Sequence, residues 1–255
     1  MLPAQRRLAR CLAAGGCTRI ATATVLPMGY LPIFLDVSGK RCMVIGGGAI
    51  AERKVASLLE AGAVVTVTSP TLTPELKSSA ARGAISHEAR AYRRGDMKGF
   101  MVVFATTDDR DLQRELAAEA RELGVLINVA DASELCSFIA PAVVSRGALR
   151  IAISTSGASP ALASRIRREL EHQFGPEYAR ALDILRAARH HLRGSEPRSE
   201  ARAHKLRALA DSALADYLKR ADIGAVDRLL REHLGVGLEA LGLKAAELSM
   251  SGAAD

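Results

Sequence analysis

Three consecutive glycines, Gly46–Gly48, separate a short apolar stretch from a segment of helical character. With Ala51 they fit the pattern G-x-G-x-x-A, which is typical of dinucleotide sites. In such a site Gly46 permits a tight turn, Gly48 lets the main chain approach a pyrophosphate, and Ala51 allows close packing of helix on strand. The free N–H groups of the new helix then face the phosphates. A glycine turn without a ligand is the alternative, and the flanking strand and helix favour the nucleotide.

A candidate acid follows the last apolar run of the alternating region. Asp131 closes the block Asn128-Val-Ala-Asp131. At the carboxyl edge of a parallel sheet it would lie near a nicotinamide, where a carboxylate could accept or supply a proton during hydride transfer. Capping or turn formation is the commonest role of an Asp after a strand, and position alone leaves both interpretations open.

The position of the usual ribose ligand holds no acidic residue. Dinucleotide sites commonly place an acid about 20 residues beyond the glycines. The segment Thr66–Thr71 contains no acid there, and no arginine that would favour a 2′-phosphate. The hydroxyls of Ser69 or Thr71 could serve the ribose, so these residues leave NAD and NADP open.

Strands and helices alternate between Ile33 and about Asn128, which predicts a parallel sheet with helices on both faces. The predicted strands are 41–45, 64–68, 84–87, 101–105 and 125–129, and the predicted helices are 49–61, 74–82 and 110–123. Ligands of such sheets bind at the carboxyl ends of the strands. The glycines, Pro70, Thr71, Thr106 and Asn128 all follow or close a predicted strand.

The pattern changes after this region. Runs at 137–145 and 149–154 with a short turn between them predict a β-hairpin. Ser159 and Pro160 suit the N-cap and first position of a helix that reaches about Phe174. Residues 177–248 are rich in Ala, Leu and Arg and predict helices with breaks at 194–197 and 235–237.

Composition limits the functional classes. The 255 residues suffice for one α/β domain and a smaller appendage. Aromatic residues make up 4% and tryptophan is absent, which argues against a stacking platform for single-stranded nucleic acid. The net charge of +7 suits an anionic partner, either a polycarboxylate or a nucleic acid, and no nucleic-acid motif supports the second.

Other features indicate which chemistry to exclude. The four cysteines lack C-x-x-C spacing, which indicates reduced thiols in a cytosolic protein. The histidines lack metal-ligand spacing, so we predict no metal site. No apolar run is long enough to span a bilayer, so we expect no membrane association.

The first 28 residues are rich in Arg and contain no acidic residue. A targeting peptide, a disordered tail or an upstream translation start would each fit this composition, and we predict a non-structural tail over 1–28.

Several short sequence blocks, taken together, indicate a protein family far more specifically than the glycine pattern does. They are Leu31–Leu35, Val44–Lys54, Phe104–Asp109, Asn128–Asp131, Cys136–Pro141 and Ile153–Pro160. In their order and spacing the chain resembles the precorrin-2 dehydrogenase / sirohydrochlorin ferrochelatase family, the N-terminal module of siroheme synthase. One departure is Ala130, where the family pattern Asn-Val-Val-Asp has a larger residue beside the acid.

The resemblance implies an activity and an architecture. The protein would oxidise precorrin-2 to sirohydrochlorin with NAD in the cytoplasm, and many members then insert Fe²⁺ as a substrate metal. The implied fold is an α/β Rossmann domain over 29–140, a hairpin-and-helix dimerisation region over 141–175 that makes a homodimer, and a helical domain over 176–255. Some relatives carry a methyltransferase domain; we expect none here, and therefore expect precorrin-2 to come from another protein.

The resemblance also implies site residues. Asp131 is the key acid, and the cofactor contacts are Gly46, Gly48, Ala49, Ile50, Pro70, Thr71 and Thr106. Asn128, Ser156 and Ser159 are assigned to the tetrapyrrole substrate. A non-catalytic NAD-sensing module is the alternative function, and it gives the block Ile153–Pro160 no role.

Overall fold

The computed structural model describes residues 29–249, and these fall into two units. The described part of the first unit, 29–34, forms no helix or strand, and its apolar side chains Leu31, Ile33 and Phe34 are exposed. The predicted tail over 1–28 lies outside the described residues. The second unit, which begins at Leu35, contains all the helices and strands described below.

The first half of the second unit contains a five-stranded parallel sheet. Its strands are β1 (Arg41–Ile45), β2 (Val64–Thr68), β3 (Ser86–Glu88), β4 (Val102–Ala105) and β5 (Leu126–Val129). Their order is β3-β2-β1-β4-β5, and every neighbouring pair is parallel. The helices are α1 (Ala49–Glu60), α2 (Pro74–Ala81) and α3 (Arg110–Leu123). The predicted α/β Rossmann-type fold is therefore confirmed, and the strand order reverses beside β1, where such sheets bind their ligands.

Both faces of this sheet are buried, which explains the continuous apolar runs of its strands. Successive residues of a strand point to opposite faces. On one face Val44 packs in a core with α1 and α2; on the other, Met43 packs in a core with α3. Val44 and Met43 are both fully buried, so a one-residue shift of register would interchange two filled cores.

Local capping positions α3 at the edge that carries the candidate acid. The Asp109 carboxylate accepts hydrogen bonds from the N–H groups of Asp111 and Leu112, at 3.0 and 3.1 Å, and Gly124 ends the helix with φ +68°. These are the side-chain and left-handed caps expected from a short Asp and a Gly. The predicted bounds of α3 agree with the structure.

A two-stranded antiparallel sheet follows, with strands β6 (Ala142–Arg146) and β7 (Leu149–Ile153). The predicted hairpin is confirmed, although its first strand begins later than residue 137. The reason is that Ser137 bonds back to β5: its N–H donates to Ile127 O at 2.9 Å. At the hairpin turn, a Cβ on Gly147 would lie 2.8 Å from the Cβ of Ala179, so the turn packs directly on the helix Glu177–Ser195.

The remaining helices are α4 (Pro160–Gln173), α5 (Glu177–Ser195), α6 (Ser199–Ala210), α7 (Leu214–Lys219), α8 (Ile223–Leu234) and α9 (Ala245–Ser249). Ser159 caps α4, as predicted: its Oγ accepts from Leu162 N at 3.2 Å. Two breaks between helices in this region, at 211–213 and 220–222, were not predicted from the sequence. Asp222 is the N-cap of α8, and its carboxylate accepts a hydrogen bond from Ala225 N at 2.9 Å. An Asp at this position can indicate the start of a helix, but the surrounding residues, rich in Ala, Leu and Arg, suggested one continuous helix instead.

Candidate active site

Gly46 lies between the ends of three strands. Its φ is +115°, which favours glycine strongly, and its N–H donates to Thr68 O at 3.0 Å. A Cβ here would lie 2.4 Å from Thr106 Oγ1. The packing of the protein itself therefore requires glycine at this position.

Gly47 is required by a second close approach. A Cβ here would lie 2.0 Å from Thr71 O, while Gly47 O accepts from Thr73 N at 3.0 Å. The loop after β2 is itself fixed, because Ser69 Oγ donates to Thr71 O at 2.7 Å. The glycine turn and the loop carrying Pro70 and Thr71 therefore form one packed surface.

Gly48 differs from both. Its φ is −91°, an ordinary value for any residue, and a Cβ would meet no protein atom within 4 Å. It is the N-cap of α1, and no side chain caps the helix there. The first N–H groups of α1, including those of Ala49 and Ile50, therefore remain available to a ligand. Open space beside uncapped N–H groups fits a dinucleotide pyrophosphate.

The other predicted cofactor residues are next to this turn. Pro70 and Thr71 are exposed on the β2 loop, and Thr106 follows β4. Thr106 is half-buried and its hydroxyl donates to Ile45 O at 2.9 Å, so its side chain is fixed against the end of β1. The structure thus brings the predicted cofactor residues together at the point where the strand order reverses.

Asp131 lies at the same edge of the sheet, beyond β5. It is exposed, and its φ of +56° places it in the left-handed region that non-glycine residues seldom adopt. Within the described part of the chain, the carboxylate of Asp131 makes no hydrogen bond or ion pair. The short 3₁₀ helix that follows, Ser133–Leu135, has Ala132 and not Asp131 as its N-cap. The Asp131 side chain therefore caps no helix, but Ala130 and Asp131 do form a turn after β5, so the turn role that competed with the catalytic one is present in the main chain.

The predicted substrate residues have structural partners. Asn128 Nδ2 donates to Phe138 O at 3.1 Å, which leaves its Oδ1 as an acceptor. Ser159 Oγ accepts from the N–H of Leu162, which leaves its hydroxyl hydrogen as a donor. Ser156 is exposed with φ +51°, and its N–H donates to Ser154 Oγ at 3.0 Å.

No role was predicted for Lys54, whose side chain the structure places against Phe104 of β4. Its ammonium lies 5.1 Å from the centre of the Phe104 ring, on the strand whose end carries Thr106. Burial, and then the charge of Arg53, lower the pKa of Lys54 below its ordinary value. Burial also raises the pKa of the neighbouring thiol of Cys136, which accepts a hydrogen bond from Val129 N at 3.1 Å. Lys54 and Cys136 are therefore partly desolvated.

Gln113 was also missed, although the sequence contains a signal for it. Gln113 is 2% exposed and lies on the same face of α3 as the buried Leu116, Ala117 and Ala120. A polar residue on an apolar helical stripe needs partners, because an unpaired buried amide is costly. It has them in the loops that follow β4 and β5.

Neither a metal cluster nor a membrane helix is found in the described residues. Over 29–249 there is no group of three or more potential His, Cys, Asp or Glu metal ligands. Among the described helices, none is both long and apolar enough to cross a membrane. Cys42 and Cys136 are free thiols.

Two family models match this chain. The family described as "Putative NAD(P)-binding" matches residues 33–142, and the family described as "Sirohaem biosynthesis protein central" matches residues 146–173. Siroheme synthase of Thioalkalivibrio sulfidiphilus is 34% identical over 212 residues, which cover 83% of this chain and 43% of the relative. Siroheme synthase of Methylobacillus flagellatus is 42% identical over 153 residues, which cover 60% of this chain and 33% of the relative.

The chain belongs to the family of the siroheme synthase N-terminal module. As such a module it spans less than half the length of the curated relatives it matches. A solved structure described as SirC, a precorrin-2 dehydrogenase, resembles the module with a TM-score of 0.65 and 25% sequence identity. The likeness covers 80% of this chain and 98% of that one, so it includes the hairpin and the helices as well as the sheet. The first of the two family models supports a cofactor of the NAD(P) class.

Proposed function

We propose that this module oxidises precorrin-2 to sirohydrochlorin, for which bound NAD supplies the hydride acceptor. The observation that carries the proposal is the carboxylate of Asp131, unpartnered within the described residues, at the same sheet edge as the open turn of Gly48. The solved relative described as a precorrin-2 dehydrogenase and the siroheme synthases support the choice of substrate.

The glycine turn and the β2 loop would hold the cofactor. The uncapped N–H groups of Ala49 and Ile50 suit the pyrophosphate, and the missing side chain of Gly48 admits it. Pro70 and Thr71 lie exposed beside the turn, where they would contact the ribose. Thr106 closes the cleft from the β4 side, with its hydroxyl engaged by Ile45 O.

Asp131 would act as the general base. When a hydride leaves precorrin-2, a proton must leave as well, and a free carboxylate at the cleft can accept it. Ser156, the hydroxyl hydrogen of Ser159 and the Oδ1 of Asn128 are the remaining polar groups assigned to the macrocycle. The net positive charge of the chain suits a polycarboxylate ligand.

The test is turnover by the purified protein. Precorrin-2 and NAD should give sirohydrochlorin together with the near-ultraviolet absorbance of NADH. The folded protein with NADP in place of NAD is the matched comparison for cofactor choice. The proposed function would be contradicted if the protein, shown by circular dichroism to be folded, produced NADH no faster than a protein-free control.

Ferrous iron insertion is a second proposed step, supported by the family to which the module belongs. Insertion requires that pyrrole nitrogens lose protons, and Asp131 could accept one of them. Sirohydrochlorin with Fe²⁺ or Co²⁺, without NAD, isolates this step from the oxidation. A rate equal to the protein-free background would show that the module is a dehydrogenase alone.

We further propose a homodimer formed through β6, β7 and α4. An isolated two-stranded sheet is marginally stable in water. This one presents Val143 at 40% exposure, and α4 presents Leu162 at 44% exposure.

We also propose domain boundaries at residues 140 and 175, and a cytoplasmic location for the protein. The free thiols of Cys42 and Cys136 are in keeping with such a reducing compartment.

A further inference from the structure

The side chain of Gln113 joins the two loops that form one wall of the candidate site. Its Nε2 donates to Thr107 O, beyond β4, at 2.6 Å and to Ala130 O, beyond β5, at 3.3 Å. Gln113 is 2% exposed, so water does not compete for these bonds. The loop of Asp131 is therefore anchored from inside the protein.

Arg110 completes the anchor from the surface. Its Nη1 donates to Asp131 O at 3.2 Å and to Gln113 Oε1 at 3.1 Å. The amide of Gln113 thus accepts from a cation and donates to two carbonyls, which fixes its orientation, because a flipped amide would turn its oxygen towards both carbonyls. The two residues act as one unit on the main chain of Ala130 and Asp131.

This anchor lies at a strained position. Asp tolerates the left-handed φ of Asp131 better than most residues do, but this conformation still costs some free energy, so surrounding contacts help to hold it. The contacts here are the bonds to the carbonyls of Ala130 and Asp131, together with the Ala130 N–H, which donates to Ala105 O at 2.9 Å. They fix the direction in which the Asp131 side chain leaves the main chain.

We propose that Gln113 and Arg110 are positioning residues that hold the Asp131 carboxylate in its reactive orientation. The proposal rests on the proposed function of Asp131 as base. It predicts that loss of either residue lowers kcat for precorrin-2 oxidation while the affinity for NAD and the KM for precorrin-2 stay close to wild type. The reason is that neither residue lines the glycine turn or the β2 loop.

The sharpest variant is Gln113→Glu, because it preserves size and removes the donor. An ionised carboxylate would face two carbonyl oxygens, so we expect kcat to fall by up to about 100-fold, as for a base displaced by about 1 Å. Burial would raise the pKa of the new carboxyl and the facing guanidinium of Arg110 would lower it, and once protonated the group can again donate. The ratio of variant to wild-type kcat should therefore rise as the pH falls. Dividing by the wild-type value removes the pH effects that the two proteins share.

Gln113→Met is the matched control, since it fills the site without any donor. Its kcat should be equally low, and its ratio to wild type should not change with pH. Wild-type kcat in both Gln113 variants, or a flat and identical pH ratio in the two, would overturn the positioning role.

Arg110 gives a test that leaves the core intact, because this side chain is exposed. Arg110→Met should lower kcat by about 3- to 10-fold, and Arg110→Lys should recover part of the loss because one charged donor remains. Arg114→Met, on the same helix and with the side chain 68% exposed, should leave kcat unchanged. Equal kcat values in the Arg110→Met and Arg114→Met variants would count against the role of Arg110.

Hydrogen exchange separates failure of this inference from failure of the proposed function. The Ala130 N–H should exchange about tenfold faster in Gln113→Met than in wild type, since the carbonyl beside it loses its anchor. This holds whether or not precorrin-2 is the substrate. Unchanged exchange at Ala130 in Gln113→Met overturns the anchor itself. Faster exchange in Gln113→Met, together with no turnover by the wild-type protein, supports the anchor and rejects the proposed reaction.

Discussion

Thr106 Oγ1 lies 2.4 Å from the point that a Cβ on Gly46 would occupy. The same hydroxyl donates to Ile45 O, so it cannot move away without losing a hydrogen bond. Gly48, only two residues further, has open space where Gly46 has an obstacle. The fold therefore requires one glycine, whereas the other leaves open space beside the first N–H groups of α1.

Gly46→Ala and Gly48→Val should separate these two roles. Gly46→Ala should lower the free energy of unfolding by about 3 kcal/mol, from the positive φ and the overlap together. Gly48→Val should change stability little, yet weaken NAD binding by at least about tenfold, because the side chain would fill the space beside the N–H groups of α1. Urea unfolding and calorimetric titration with NAD measure the two effects. Strong NAD binding by Gly48→Val would contradict the placement of the pyrophosphate.

Asp131→Asn should lower kcat by about 100- to 10,000-fold, the usual contribution of a general base. The affinity for NAD and the stability should stay near wild type, because Asn also tolerates a left-handed φ. Steady-state kinetics with precorrin-2 provide the measurement. Asp108→Asn is the control, since Asp108 is exposed on the neighbouring β4 loop, and it should retain full turnover. Full activity of Asp131→Asn would remove this residue from the mechanism.

Val143→Glu should convert the proposed homodimer to a monomer of 27.0 kDa in light scattering. A charge in the middle of an apolar contact is costly, so the dimer dissociation constant should rise by at least about 30-fold. Leu123→Glu tests the specificity of this effect, since Leu123 is 43% exposed but lies on α3. That variant should remain dimeric. A monomeric wild-type protein, or the same mass for both variants, would contradict the assignment of the hairpin as interface.

Asp96→Asn should lower stability in a pH-dependent manner. Hydrogen bonding from Arg90 lowers the pKa of Asp96 in the folded protein, so the unfolded chain binds more protons between the folded and unfolded pKa values. The stabilisation is therefore present above the ordinary carboxyl pKa, about 3.9, and is lost as the pH falls below it. Urea midpoints should differ between variant and wild type at pH 7 and converge in acid.

The control for this prediction is Asp111→Asn. Asp111 also pairs with an arginine, but its side chain is 87% exposed, so solvent screens the interaction. Its urea midpoint should match wild type throughout. A difference at Asp96 that does not change with pH would show that packing, and not the charge of the carboxylate, stabilises this loop.

Much of the fold could be predicted because its signals are local. The run from Arg41 to Ile45, the capping residues Asp109 and Ser159 and the proline at Pro160 each bias a few neighbouring dihedral angles. The predicted bounds of β1, β2 and α3 agree with the structure for this reason. The ends of β3 and of β6 did not agree, because they depend on which distant strand or loop accepts their hydrogen bonds.

The sequence alone determined the alternation that requires a parallel sheet, the glycine pattern and the acid after the last strand. It could not decide why each glycine is needed, because the obstacles at Gly46 and Gly47 come from Thr106 and Thr71, which are distant in the chain. Nor could it show that the carboxylate of Asp131 caps nothing, or that Gln113 reaches two loops. Those facts depend on side chains that only the packing of α3 and the sheet brings together, and the packing is set by the whole buried surface rather than by any local pattern.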